Sequence, residues 1–364
     1  MSTGRDIEIK AAGGPEVGLP SVPVPRMSVW AGPRIFTPGL VLVSALAGLA
    51  TVVGGLAPVV GAPVIAILCG IVISLVRKPS ARLRPGIVFG SKKVLQGSIV
   101  LLGSELSLGQ LLTTGARSLP VLLGTLIAAL AMAWLAGRLL GLRGDVTTLV
   151  GVGTAVCGAS AIAATDAVID ADEADVSYAI AAIFTFNVVA VLCYPSLGHA
   201  LGLSQHAFGL WAGTAINDLS SVVAASAVYG HAAVAQAVVV KLTRTLAIIP
   251  ICLGLAATGR RRRQEGVEVT PGERPKLGRI LPLFIPVFLA AAIANTVGLV
   301  PAGWHHALSD LSTWMITAAL GAIGLSADMR QIRQAGLRPL ALGGTLWLTV
   351  GLASLGLQAL TGTL

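Results

Sequence analysis

The chain has 364 residues, 55% hydrophobic and only 11% charged, with a mean hydropathy of +0.85. Soluble domains carry about 25% charged residues, so an ordinary soluble globular domain is excluded. The net charge of +9 needs no nucleic acid: Lys and Arg in short loops beside anionic headgroups produce it.

Residues 1–34 are polar, contain Pro15, Pro20, Pro23, Pro25 and Pro33, and lack the apolar core of a signal peptide. They read as a disordered cytosolic tail. Residues 35–364 read as one transmembrane domain. Apolar runs are expected to span at 36–53, 60–76, 93–110, 118–138, 146–167, 177–197, 207–229, 233–257, 280–299, 308–327 and 339–361. Crossing the hydrocarbon layer takes about 20 apolar residues as helix. The runs lack period-2 alternation, which argues for helices and against a barrel. The expected class is an all-α polytopic membrane protein of about eleven transmembrane helices. With the N-terminus inside, 22 of the 25 Lys and Arg fall in cytosolic segments, including the basic loop 259–279 with "GRRRRQEG" (259–266). That bias predicts an N-in, C-out protein of the inner (plasma) membrane. Cys69, Cys157, Cys193 and Cys252 each lie in an apolar run without a CxxC pair, so neither disulfides nor a metal are expected, and no cofactor.

Two internal similarities stand out. In "GSELSLGQLLTTGARSLPVL" (103–122) and "GLSADMRQIRQAGLRPLAL" (324–342), Gly103, Gln110, Gly115, Arg117 and Leu119 match Gly324, Gln331, Gly336, Arg338 and Leu340. The expected topology gives these copies opposite orientation, the pattern of inverted-repeat transporters. "GTAVCGASAIAATDAV" (153–168) and "GTAINDLSSVVAASAV" (213–228) share a weaker likeness, within small-residue helices expected at 151–168 and 211–228. These two run in the same direction and are not an inverted pair.

Gly151, Gly153, Thr154, Gly158, Ser160 and Thr165 crowd one span with small and hydroxylated residues. Such a segment serves close helix packing or a broken helix that presents backbone dipoles to a substrate. Asn217 and Asp218 sit near the middle of a later span, and Lys241 and Arg244 near the middle of the next. A charge at the bilayer centre costs at least about 2.5–3.5 kcal/mol. The three charges are therefore expected to face one another, with Asp218 paired to Lys241 or Arg244 and one cation left to attract an anion. A structural ion pair with a snorkelling spare cation is the plainer alternative. Asp166 and Glu105 lie nearer the outer end. His199, His206, His231, His305 and His306 fall at span ends or loops. No HExxH, GxSxG or P-loop motif is present, so no enzyme and no ATP drive are expected.

At these residues the chain resembles the YeiH family, whose members carry the label of sulfate exporters. The likeness covers nearly everything after residue 35 and rests on "GTAVCGASAIAATDAV", "TFNVVAVLCYP", "GTAINDLSSVVAAS", "VVKLTRTLAIIP" and "GAIGLSADMRQIRQAGLRPL". That family is similar, more distantly, to the sodium/proton antiporter and sodium/bile-acid symporter superfamily. The resemblance implies a panel-plus-core fold with broken helices crossing near the midplane. It points to Cys157, Gly158, Ala159, Thr165, Asp166, Asp218, Lys241 and Arg244. The chain departs from the family pattern of His-Glu at Asn217-Asp218 and of Arg at Gln96 and Glu105.

The expectation is a secondary transporter of a small anion (sulfate, sulfite or an organic sulfonate), with export implied by the resemblance. Lys241, Arg244, Asn217, Thr154, Cys157, Gly158 and Ser160 would bind it; Asp218 and Asp166 would balance charge or carry the coupling ion. Partners would be the lipid bilayer and a proton or sodium ion, and the small-residue faces permit a homodimer. The alternatives are a cation/proton antiporter using Asp218 and Asp166, and a non-transporting scaffold or sensor.

Overall fold

The computed structural model describes residues 35–56, 62–142, 144–255, 283–326 and 336–364. The expected tail 1–34, the basic loop 259–279 and Gln331 of the first repeat lie outside these residues. Helices form every element: α1 (Thr37–Leu56), α2 (Ala62–Val76), α3 (Arg84–Phe89), a π-helical turn (Gly90–Val94), α4 (Leu95–Gly103), α5 (Leu108–Leu139), α6 (Asp145–Ala155), α7 (Ala159–Ile169), α8 (Glu173–Ala200), α9 (Gln205–Ala215), α10 (Leu219–Tyr229), α11 (His231–Thr245), α12 (Phe284–Thr296), α13 (His305–Leu325) and α14 (Leu337–Thr361). After a turn at 246–247, α11 continues as helix over 248–255.

Among the described residues, six helices are long and apolar enough to cross a membrane: Thr37–Gly55, Leu108–Leu139, Glu173–Ala200, His231–Leu255, His305–Leu325 and Leu337–Thr361. Val52, Val72, Leu112, Ile127 and Leu352 stand exposed on outer faces, the surface a lipid-facing helix presents.

One expected span is corrected. The run at 93–110 is not one helix: the helical stretch starts at Arg84 and ends at Gly103. A new helix then begins at Leu108 because Ser107 and Gln110 form a capping box. Ser107 Oγ accepts from Gln110 N–H at 3.1 Å, and Ser107 N–H donates to Gln110 Oε1 at 2.9 Å. Both orphan donors are thereby satisfied.

The helices pack as two groups. α1–α4, α12 and α13 form one, and α5–α11 with α14 form the other; α10 packs on α2 and α13 where they meet. We call them the scaffold and the core. In the scaffold, α2 and α13 cross at Gly70 and Gly324, so closely that a Cβ on Gly324 would stand 2.4 Å from the Ile67 carbonyl oxygen. In the core, aromatic rings stack in two pairs, Phe208 on Tyr229 at 3.8 Å and Tyr194 on Trp211 at 4.1 Å between centroids, and the pairs meet edge-on through Phe208 and Trp211. Trp211 Nε1–H donates to the Gly351 carbonyl at 3.0 Å. Such aromatic pairs add about 0.5–1.5 kcal/mol each beyond their buried area.

The two repeats fare differently. Gly115 lies inside α5, whereas its match Gly336 precedes α14 with φ +70°, so that equivalence does not extend to the local backbone. The weaker likeness is carried into the fold throughout. α6, a break at 156–158 and α7 repeat as α9, a break at 216–218 and α10, each helix of 11 residues.

Candidate functional site

Each of these four helices is too short to cross alone, and each pair is interrupted after Gly-Thr-Ala. Val156 leaves the helical region at φ −121°, ψ −88°, and Ile216 is extended at φ −87°, ψ 134°. Gly158 then takes φ +70°, a conformation that costs a side-chain-bearing residue strain. The two breaks touch: a Cβ on Gly158 would lie 3.6 Å from the Asn217 carbonyl group.

A helix that stops leaves its last carbonyls without partners. Here α11 supplies them. Lys241 Nζ donates to the Val156 carbonyl at 2.9 Å and to the Ile216 carbonyl at 2.7 Å. Arg244 Nε donates to Ala155 O at 2.7 Å, Nη2 to Thr154 O at 3.0 Å, and Nη1 to Thr214 O. Val156 and Ile216 are equivalent positions of the two copies, and so are Thr154 and Thr214. Each cation thus bridges the same carbonyl in both. Lys241 is 0% and Arg244 2% exposed, so no water competes for these donors. Positive charge at a helix C-terminus also opposes the dipole, which carries about half a negative charge there.

This arrangement corrects the expected ion pair. No salt bridge joins Asp218 to Lys241 or Arg244 among the described residues; the cations turn to backbone carbonyls instead. Asp218 instead caps α10. Its Oδ2 accepts from the Ser220 hydroxyl, from Ser221 N–H at 3.2 Å and from the Ser221 hydroxyl at 3.4 Å. A carboxylate at an N-cap is favoured by hydrogen bonding and by the dipole. Asn187 of α8 steadies the same break: its Oδ1 accepts from Asn217 N–H at 3.2 Å and Asp218 N–H at 3.4 Å.

Asp218 faces a cleft of about 60 Å³ between scaffold and core. Ile67 and Ile71 of α2 and Ile323 and Gly324 of α13 form one wall. Phe184, Asn187, Val188, Val191 and Leu192 of α8, with Asp218, Ser220 and Ser221 of α10, form the other. Of the residues expected to form the site, only Asp218 lines this cleft. Thr154, Gly158 and Asn217 are buried at the crossing, Cys157 is half-buried, and Ser160 is exposed at the start of α7. The Thr154 hydroxyl and Asn217 Oδ1 find no partner among the described residues.

Asp166 is placed elsewhere. Its Oδ1 accepts from Ala171 N–H at 3.2 Å, closing the far end of α7, about 12 Å along the helix from Gly158 at 1.5 Å per residue. Asn187, Ser220 and Ser221 were not anticipated. A polar amide inside the apolar run "TFNVVAVLCYP" was the available signal for Asn187.

Scaffold and core also meet away from the cleft, where Leu108 N–H of α5 donates to Thr296 Oγ1 of α12 at 2.7 Å. Glu105, in the turn between α4 and α5, lies 3.3 Å from His231 Nε2 at the start of α11. Ser309 Oγ of α13 lies 3.3 Å from the same nitrogen.

Comparison with known sequences places this geometry in a family. The family model described as Conserved hypothetical protein 698 matches residues 38–343. The UPF0324 membrane protein of Streptococcus mutans is 41% identical over 332 residues, covering 89% of this chain and 97% of the relative. Its counterpart in Fusobacterium nucleatum is 38% identical over 344 residues, covering 89% and 98%. The chain belongs to the UPF0324 family. Members such as that of Streptococcus agalactiae, 38% identical over 334 residues, are named as membrane proteins, in keeping with the six long apolar helices of this UPF0324 chain.

One prediction concerns this support. Asn187→Leu is expected to leave Asn217 N–H and Asp218 N–H without their acceptor and to destabilise the fold by about 1–3 kcal/mol. A thermal melt of the purified variant checks it. Asn187→Asp, which keeps the acceptor, should melt closer to wild type.

Proposed function

We propose that the protein is a secondary transporter that moves a small anion by displacement of the core against the scaffold. One observation carries the proposal: two matched broken helices meet beside a cleft between the two groups, and both are closed by cations from a single helix. Broken helices are where transporters expose backbone dipoles to substrates and ions.

The charge balance supports an anion. The C-terminal ends of α6 and α9 and the N-terminal ends of α7 and α10 offset one another in pairs. Lys241, Arg244 and ionised Asp218 then leave about one positive charge at the crossing. In this reading the cations attract the anion through their field while holding the carbonyls. The substrate class is that of sulfate, sulfite or an organic sulfonate, and direction follows the gradients.

The proposed topology is eleven passes through the inner membrane, N-terminus in the cytosol, which sets the Lys and Arg of the short loops inside.

Flux measurement in proteoliposomes tests the proposal. Purified protein should accumulate labelled sulfite or an alkanesulfonate under an imposed pH or sodium gradient, and empty liposomes should not. The second reading, a cation/proton antiporter, is favoured by the carboxylate of Asp218 in the cleft. Sodium–proton exchange without anion dependence would establish it in place of the first. Absence of any flux would leave a sensor or scaffold.

A further inference from the structure

We infer that Glu105, His231 and Ser309 form a pH-sensitive latch: a protonated His231 holds the core to the scaffold, and loss of the proton frees the core to move. The latch follows from the contacts between the two groups. Its effect on flux rests on the transporter reading above.

The three residues come from both groups. Glu105 N–H donates to the Leu102 carbonyl at 3.1 Å, so its backbone continues the end of α4 and rides with the scaffold. Ser309 lies on α13, also of the scaffold. His231 opens α11, the core helix whose Lys241 and Arg244 close both breaks. Its Nε2 lies 3.3 Å from Glu105 Oε2 and 3.3 Å from Ser309 Oγ. One atom of the core is thus held by two side chains of the scaffold. A displacement of α11 past α13 breaks the hold.

The pair is unequally buried. The Glu105 side chain is 13% exposed and that of His231 51%. Glu105 Oε1 is buried without a hydrogen-bond partner. The carboxylate is shut away, while the imidazole that neutralises it reaches water and can exchange its proton.

That proton decides the strength of the contact. An imidazolium donates to a carboxylate through a charge-assisted hydrogen bond, roughly twice as strong as a neutral one. A neutral imidazole carries one proton. With the proton on Nδ1, Nε2 accepts from the Ser309 hydroxyl and turns a lone pair toward Glu105. With the proton on Nε2, a hydrogen bond remains but the ion pair is gone. Both forms leave a buried carboxylate uncompensated. The contact favours the proton, so its stabilisation is present in acid and is lost as the pH rises through the histidine range, around 6–7.

The surroundings leave this titration to the pair. Among the described residues, Glu105 is the charged group that acts on His231. Asp310 of α13 pairs with His306 at 3.8 Å. α9 brings the neutral Gln205, whose Oε1 accepts from Ala232 N–H at 3.0 Å. α5 opens with the capping pair Ser107 and Gln110, and α10 ends in Tyr229, whose hydroxyl donates to the Leu203 carbonyl.

Melting and flux test the inference. At about pH 5.5, Glu105→Gln and His231→Gln should each lower Tm by about 2 °C, and the double variant should melt no lower than either, because all three lose one contact. At about pH 8, wild type should keep no advantage over them. Ser309→Ala leaves the charge pair in place and should keep the pH dependence of wild type. If His231→Gln fails to fold, Glu105→Gln carries the test by itself: its deficit should vanish in alkali. Flux is read in proteoliposomes with equal pH on both sides and a gradient of labelled butanesulfonate, which stays ionised throughout. Wild type should be about fivefold slower in acid than in alkali, and Glu105→Gln and His231→Gln should be equally fast in both. Equal losses of Tm at both pH values, additive losses in the double variant, or wild-type flux indifferent to pH overturns the latch. No wild-type flux at either pH overturns the transporter reading alone; melts coupled in acid and uncoupled in alkali then still establish the latch.

Discussion

Arg244→Met is expected to destabilise the protein by on the order of 4 kcal/mol or more, because it strands three buried carbonyls at once. Thr154 O and Ala155 O at the end of α6, and Thr214 O at the end of α9, all accept from this one guanidinium. Each unsatisfied buried acceptor costs about 1–3 kcal/mol, and a fold holds only about 5–15 kcal/mol in total. Lys241→Met strands two carbonyls and should cost less. Arg244→Lys should fall between wild type and Arg244→Met, since a single ammonium cannot reproduce the three-pronged geometry. Thermal unfolding in detergent, followed by tryptophan fluorescence, ranks the variants. If Arg244→Met melts with wild type, the carbonyls do not depend on it. A residue whose sole task was to hold the anion would lose flux without losing stability, so the melt separates the two roles.

Gly324→Leu should part the two central helices of the scaffold. A Cβ there would sit 2.4 Å from Ile67 O, 2.9 Å from Ile71 N and 3.0 Å from the Gly70 Cα. All three are backbone atoms, so no side chain can swing aside and α2 itself must move. Overfilling a packed contact costs roughly 1–3 kcal/mol, and more where backbone is displaced. Small residues are what allow membrane helices to approach this closely. Ile67 and Gly324 also line the cleft, so under the proposed function flux should fall together with stability. Gly48→Leu is the matched control: nothing lies within 4 Å of a Cβ at Gly48, and its melt should stay within about 0.5 kcal/mol of wild type. Equal melting of the two variants would contradict the crossing.

Much of this was legible in the residues. Long apolar runs without alternation gave helices, and "GTAV" and "GTAI" marked the two breaks by a shared motif. The charge pattern led to Lys241 and Arg244 as a unit with Asp218 nearby. It did not reveal their partners. Side-chain charges are visible in a sequence, whereas backbone carbonyls released by a broken helix are not, so Asp218 looked like the natural counter-ion. The ranking of the repeats inverted for a related reason. Matches at Gly115 and Gly336 concern residues that tolerate many backbones, while Gly-Thr-Ala followed by non-helical residues describes a local structure. Asp166 was grouped with Asp218 by residue type, but the rise of α7 carries it away to the far end. The cleft itself needed the fold, because α2, α8, α10 and α13 are far apart in the chain.

The dependence of both breaks on α11 has a consequence for biogenesis. Thr154 emerges from the ribosome 90 residues before the Arg244 that satisfies it. At about 5–20 residues per second, α6 waits roughly 5–18 s with its last carbonyls open. During that interval the first broken helix stays unfinished, and so, for a shorter time, does the second. The crossing therefore closes late and from behind: α11, made after α6, α7, α9 and α10, locks both broken helices at once.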